Sequence, residues 1–299
     1  MRPVKLRIDD TTQARWQALT ETAKLPLQQS WNYGAAVDAA GGQALRIEVR
    51  EKDRTIALAQ GVYRRLGWPV TLITRGPVWI GNPDVTERMT ALRTLRKGLK
   101  GLVLMTPDVA ASDALRRAGF ADVMTPSTMA CLTLNSDLRK NLNGKWRNRL
   151  VRAETQNLVL ERLDISIRDL RWLLEADARQ PRLKGYRAMP DTFTKAWLRR
   201  DPRSALAIAA SRNTERLAAM LFLRHGTTAT YHIGWSSEDG RKVSAHNLLL
   251  WKAAQQLAAE GVATLDLGLI DTVNAPGLAR FKLGTGARPV RTGGTWLGW

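Results

Sequence analysis

The two halves of this chain run through the same succession of parts, and a repeat of that length leaves few folds open. In the first half, strands at 44–50 and 55–63 are joined by a charged turn, and a third at 70–74 is broken by Arg75, Gly76 and Pro77. A helix then starts at Asp84 or Thr86 with Met89, Leu92, Leu95 and Leu99 on its inner face, and stops at Gly101. A buried strand at 102–105 and a short helix at 112–118 complete the set. In the second half, strands at 204–210 and 217–224 form a hairpin, and a third runs 228–235. A helix extends from near Ser244 to Gly261, followed by a strand at 263–267 and a helix at 276–282. The punctuation corresponds too: Lys100, Gly101 and Leu102 stand where Glu260, Gly261 and Val262 stand later. Order and punctuation recur without residue identity, which predicts a tandem duplication of one α/β unit around a mixed sheet.

The boundary between the copies is expected near residues 127–141, giving a first domain over 1–135 and a second over 136–287. Residues 288–299 follow as a C-terminal tail. At 299 residues with 44% hydrophobic side chains, the chain is long enough for two globular domains. The second opens on a basic, helix-prone stretch carrying Arg139, Lys140, Lys145, Arg147, Arg149 and Arg152, with Trp146, Leu150 and Ala153 as its apolar side. Further helices are expected at 170–178 and 191–199.

A net charge of +19 predicts attraction to polyanions: nucleic acid, phosphorylated small molecules or an anionic membrane surface. The single cysteine, Cys131, rules out an internal disulfide and fits a reducing compartment. No stretch has the character of a signal peptide or a membrane span, so a cytoplasmic monomer is the expectation.

The second copy has the longer connector after its buried strand, 268–275, which marks it as the copy that does the chemistry. Its helix from Ser244 buries Leu250, Ala253, Ala254, Leu257 and Ala258. A polar, basic loop at 236–242 leads into the N-terminus of that helix. There Arg241, Lys242, Ser244 and Asn247 make a plausible cradle for the phosphates of an acyl donor. An ordinary βαβ unit, basic because the whole chain is basic, fits the same spacing. P-loop, dinucleotide fingerprint, HExxH, paired-cysteine and GxSxG motifs are all absent, and the three histidines, His225, His232 and His246, are too scattered for a metal set. No metal and no tightly bound cofactor are expected.

Four blocks together resemble one family: residues 231–237, 245–251, Asp266-Leu267-Gly268, and the run Gly277-Leu278-Ala279-Arg280-Phe281-Lys282-Leu283-Gly284. They look like the second domain of the Fem-type aminoacyltransferases and, equally, of the GNAT-like acyltransferases clustered with them. The early Gln28-Gln29-Ser30-Trp31-Asn32-Tyr33-Gly34 and the stretch 150–161 resemble the same family. The resemblance implies tandem GNAT-like domains, with the tail 288–299 returning to the first, and transfer of an aminoacyl group from aminoacyl-tRNA to an amine of a peptidoglycan precursor. This chain departs from the longer members in having no room for their coiled-coil arm. It also has Ala35, Ala36 and Val37 where enzymes acting on nucleotide-linked precursors carry a lysine.

The resemblance assigns Lys282 to charge stabilisation, because it occupies the family's lysine position after phenylalanine. Asp266 and His232 are further catalytic candidates, His232 as a proton shuttle titrating near neutrality. Trp31, Tyr33 and Tyr231, with Arg147, Arg149, Arg179, Arg182 and Arg187, are the candidate substrate-binding residues, the arginines as one positive wall at an interdomain cleft. Two donors stand open, aminoacyl-tRNA and acyl-CoA. With only Gly240 in the 236–242 loop, the sequence favours the former. A third reading is a non-catalytic, basic nucleic-acid-binding protein on the same scaffold.

Overall fold

In the computed structural model, which describes residues 4–135, 137–184 and 189–299, the chain forms two units. One comprises Met1–Thr128 with Arg291–Trp299, the other Met129–Val290.

The first unit is built on eight strands numbered in chain order: β1 (Val4–Ile8), β2 (Ala44–Glu51), β3 (Arg54–Leu66), β4 (Trp68–Thr74), β5 (Val78–Trp79), β6 (Leu102–Thr106), β7 (Ala121–Met124) and, from the chain's last residues, β15 (Thr295–Gly298). Their order is β1-β2-β3-β4-β6-β15-β7, with β5 beside β3. Four helices accompany them: α1 (Gln13–Thr20), α2 (Trp31–Ala39), α3 (Val85–Gly98) and α4 (Ser112–Arg117). α3 starts at a capping box, Asp84 with Glu87, and buries Ala91, Leu92 and Leu95. Leu92 and Leu95 join Ile47, Ile73, Val103, Met105 and Trp296 in the core, and Ala91 joins Val49, Ile56 and Ala57.

The second unit repeats the plan. Its strands are β8 (Thr128–Thr133), β9 (Val159–Arg162), β10 (Ala205–Arg212), β11 (Glu215–His225), β12 (Thr228–Ser236), β13 (Thr264–Leu269) and β14 (Arg288–Arg291), in the order β14-β8-β13-β12-β11-β10-β9. Position for position, β9 to β13 answer β1 to β6, and β14 answers β7. The slot that β15 fills in the first sheet is filled here by β8. Each sheet is therefore completed by a strand lying just past the end of the other repeat. The helices are α5 (Gly144–Glu154), α6 (Arg171–Lys184), α7 (Asp191–Arg200), α8 (Glu238–Lys242), α9 (Ala245–Ala259) and α10 (Pro276–Leu283). α9, the longest of the helices described at 15 residues, packs Leu249, Leu250, Ala253, Ala254 and Leu257 against α5 and the inner faces of β10 and β11.

The units divide at residue 128 rather than the expected 135, because β8 pairs with β13 and belongs to the second sheet. β14 also stays with that sheet, so the tail joining the first unit is 291–299, not 288–299. A second difference concerns 236–242, expected as a loop. Ser237 caps it by accepting from Gly240 N at 3.0 Å, Glu238 and Asp239 sit in its first turn and Arg241 and Lys242 in its last, so it winds into α8. Five residues are too few to show a helical period.

Candidate active site

Each repeat contains a parallel strand pair joined through a helix, and the two pairs differ. In the first unit β4 and β6 stay in register over five residue pairs, Val70↔Leu102 to Thr74↔Thr106. In the second, β12 and β13 pair only from Thr228↔Thr264 to Thr230↔Asp266. Beyond that point β12 continues to Ser236 against β11, and β13 to Leu269 against β8. The two facing edges are thus without each other from residue 231 on one side and 267 on the other. An extended ligand can lie along such an edge and add to the hydrogen bonding of its backbone.

β12 is also irregular where the pairing ends. Phe222 lies opposite Tyr231 and Leu221 opposite Ile233, so His232 is the extra residue of a bulge. The bulge and the alternation of a strand send Tyr231 and His232 to opposite faces. Tyr231 packs on Phe222 at 5.6 Å, against the core under α5 and α9. His232 turns to α7, where its Nε2 is hydrogen-bonded to the Thr194 hydroxyl at 2.7 Å and its ring lies 6.1 Å from Phe193. Burial pushes its pKa down to about 4, so the imidazole is neutral at physiological pH.

On the other edge, Asp266 and Lys282 come together at the end of β13. Asp266 is buried and accepts from Gly268 N at 2.8 Å. The register slips between Asp266 and Leu269, which loosens this end of the strand from β8. Lys282, near the end of α10, is 6% exposed and donates from Nζ to Leu269 O at 2.7 Å. Burial lowers its pKa from the ordinary value, and the charge of Asp266 acts in the opposite direction. A buried cation beside a strand end is an unusual placement for lysine, and a cation so placed is able to hold a negative charge.

The N-terminus of α9 closes the third side. Ser244 takes a left-handed conformation with φ 58° and its side chain makes no cap, so the first N–H groups of the helix have no side-chain acceptor. Asn247, 4% exposed, has no hydrogen-bond partner for Nδ2. His246 donates from Nε2 to Trp235 O at 2.7 Å, a carbonyl on the part of β12 that β13 has left; the acceptor fixes the tautomer. Its ring lies 6.1 Å from Phe281 of α10, which itself packs on Trp146.

Of the expected catalytic residues, then, Lys282 and Asp266 share one corner, and His232 stands on the opposite strand. Of the expected donor-binding set, Ser244 and Asn247 lie at the α9 N-terminus. Arg241 and Lys242 are engaged locally, Arg241 with Ser236 O at 2.9 Å and Lys242 with Asp239 at 3.0 Å. Trp31 and Tyr33 belong to the first unit. There Trp31 lies under the Arg46 guanidinium at 4.1 Å and edge-on to Trp16, while burial raises the pKa of Tyr33. Arg147 donates to Lys140 O and Leu142 O, and Arg139 to both oxygens of Glu154. Lys145, Arg149 and Arg152 are exposed on α5 and make no ion pair among the described residues. Arg179 is exposed beside Glu175; the side chain of Arg182 and the whole of Arg187 lie outside the described residues. Sequence reasoning missed Thr194, whose approach to His232 depends on how α7 meets β12. It also passed over His246, whose place in the first turn of α9 was legible. Among the described residues no cluster of three or more His, Cys, Asp or Glu could hold a metal ion, and no helix is long and apolar enough to cross a membrane.

The fold that carries these residues has known counterparts. A family profile described as an acetyltransferase (GNAT) domain matches residues 136–287, just over half of the 299. No curated protein sequence matches the chain. Among solved structures, FemX is similar at a TM-score of 0.80 with 16% identity, over 97% of this chain and 96% of that one. A tandem GNAT protein from the clavulanic acid biosynthesis pathway reaches 0.60 at 11% identity, over 99% and 98%. The C-terminal domain of a putative lysylphosphatidylglycerol synthetase from Agrobacterium fabrum reaches 0.59 at 14% identity, over 96% and 92%. The likenesses extend over nearly the whole of each chain, so both units share in the tandem fold.

Proposed function

The chain belongs to the acetyltransferase (GNAT) family and is an acyltransferase, and from that premise we propose that it moves an aminoacyl group from aminoacyl-tRNA to an amine, the acceptor being a peptidoglycan precursor. The observation that carries the site assignment is the early end of the β12–β13 ladder with Lys282 buried at its mouth. The aminoacyl ester lies along the open edges, its α-amino group and ester carbonyl facing strand C=O and N–H groups. The acceptor amine attacks the ester carbonyl, a C–N bond forms, and negative charge gathers on the carbonyl oxygen, where Lys282 stabilises it. Asp266 favours the charged form of that lysine, against the effect of burial. Neutral His232 takes the proton lost by the amine, oriented by Thr194. The C–O bond to the tRNA ribose then breaks. The likeness to FemX and to the lysylphosphatidylglycerol synthetase domain supports an aminoacyl donor. The exposed cations of α5 would contact tRNA phosphates. The enzyme works in the cytoplasm, where charged tRNA is found.

Acyl-CoA is the second reading. The uncapped N-terminus of α9 and the unpaired amide of Asn247 favour it, because together they suit a pyrophosphate. Parallel assays separate the two: release of radiolabelled amino acid from charged tRNA in the presence of an amine-bearing precursor, and release of CoA thiol from acetyl-CoA. Turnover in the first and none in the second is expected. The reverse result would replace the donor while leaving the site intact.

A further inference from the structure

The strongest exposed apolar feature lies away from that site, in the first unit. β3 and β4 form a hairpin whose last pair is Leu66↔Trp68, with Gly67 at the apex in the left-handed region at φ 75°. Leu66 is 71% exposed and Trp68 74% exposed. Trp68 lines an open hollow of about 680 Å³ together with Arg96, Lys97, Leu99 and Trp299, and Trp299 is itself 66% exposed. Arg64, Arg65, Lys97 and Lys100 are exposed around these side chains. The two segments that carry them, 60–75 and 88–107, contain no Asp or Glu.

We propose that this corner is a membrane-docking surface that seats on a bilayer carrying anionic headgroups. Leucine and two tryptophans enter the headgroup–acyl boundary while the ring of lysines and arginines meets lipid phosphates. The layering is the argument: an apolar tip surrounded by cations matches a bilayer surface, where phosphates lie outside acyl chains, and tryptophan favours that boundary. Polybasic segments add attraction to anionic leaflets. A second copy of this chain fits worse, because it would bring the same unpaired positive rim against this one. Nucleic acid could stack on the tryptophans and pair with the cations, but it offers nothing apolar for Leu66 to enter. Docking does not depend on which acyl donor the other unit uses.

The experiment is co-sedimentation of the full chain with vesicles of phosphatidylcholine alone and of phosphatidylcholine mixed with phosphatidylglycerol. The parent is compared with Leu66→Ser/Trp68→Ser and with Arg64→Ala/Arg65→Ala. A chain of net charge +19 is drawn to anionic vesicles by charge alone, so the apolar variant decides. It keeps every cation, and all four positions are exposed, so folding is checked simply by circular dichroism. The expected result is binding to the mixed vesicles and a loss of about tenfold or more in the apolar variant. The Arg64/Arg65 variant should lose less, and more at low salt than at high. In the parent, acyl-chain-brominated lipid should quench tryptophan emission, and Trp68→Ser should reduce that quenching. The proposal is overturned if the parent does not bind, if the apolar variant binds equally, or if the same double substitution instead abolishes binding to an RNA oligomer or a self-association seen in solution.

Discussion

Lys282 and His232 illustrate opposite ways in which burial prepares a side chain. Desolvation lowers both pKa values, but Lys282 has Asp266 to favour its charge, whereas burial is the whole cause at His232. Lys282→Met keeps the length and apolar body while removing the cation. Turnover should fall on the order of 10²–10³-fold with an unchanged circular dichroism spectrum, and the variant should lose some stability, because Leu269 O is left without this donor and Asp266 without this cation. Undiminished turnover would leave the lysine only its bond to Leu269 O. For His232 the consequence is in pH. Between about 4, its folded value, and 6.5, its ordinary one, the unfolded chain holds a proton that the folded ring refuses. Stability should therefore rise with pH through that window and be complete above it. Denaturant midpoints at about pH 5 and pH 7 should differ more in the parent than in His232→Gln. If His232 is the base, the acid limb of the rate profile lies near its pKa of about 4 rather than near neutrality. The sequence placed this histidine on a strand; its burial and its bond to Thr194 of α7, more than thirty residues away in the chain, belong to the tertiary structure.

At the scale of elements, the question is what holds β12 and β13 apart. α8 and α9 occupy the connection between them, and His246 ties the start of α9 to Trp235 O on the edge that β13 has left. α8 packs so closely on β11 that a Cβ on Gly240 would stand 2.1 Å from Leu217 O. His246→Phe retains the bulk beside Phe281 but leaves Trp235 O without this donor. It should cost about 1–3 kcal/mol in a denaturant titration, and donor binding should weaken with it. If binding is unchanged, the open edge is maintained by the backbone alone. Most of the elements around this opening were legible. The hairpin of β10 and β11, the long β12, α9 with its Gly261 stop and α10 all lie within a few residues of their expected places. α8 was missed for its length, and the short strands β8 and β9 because neither shows a clean alternation of apolar and polar side chains.

At the scale of the whole molecule, the reciprocal filling of the two sheets makes the last residues of the chain structural. Trp296 is 1% exposed, and β15 pairs with β6 on one side and β7 on the other. Trp296→Ala should destabilise the first unit by about 3–5 kcal/mol, seen as an earlier unfolding transition, whereas Trp299→Ala, at an exposed site, should not. The charge of +19 also belongs to this scale. Many of its cations are committed, Arg139 to Glu154, Lys140 to Asp137, and Arg224 and Arg162 to Glu260. Lys145, Arg149 and Arg152 are not. If these three meet tRNA phosphates, log Kd against log salt should change by about 2–3 per decade. Lys145→Glu/Arg149→Glu should flatten that dependence. A dependence the double variant leaves unaltered would assign the tRNA contacts, if any, elsewhere.

The repeat of element order was written in the sequence, because hydrophobic period, Gly stops and turn residues act within a few positions of themselves. So was the longer connector 268–275, from which the second copy is expected to be the reactive one. Only the tertiary structure shows how the parallel strand pairs of the two copies differ. Hydrogen-bond registry is a property of two strands distant in sequence, and no local signal reports that β4 and β6 stay paired over five positions while β12 and β13 part after three. The exchange of β8 and β15 between the sheets is of the same kind, since a short strand gains its partners only from what is already assembled around the slot it enters.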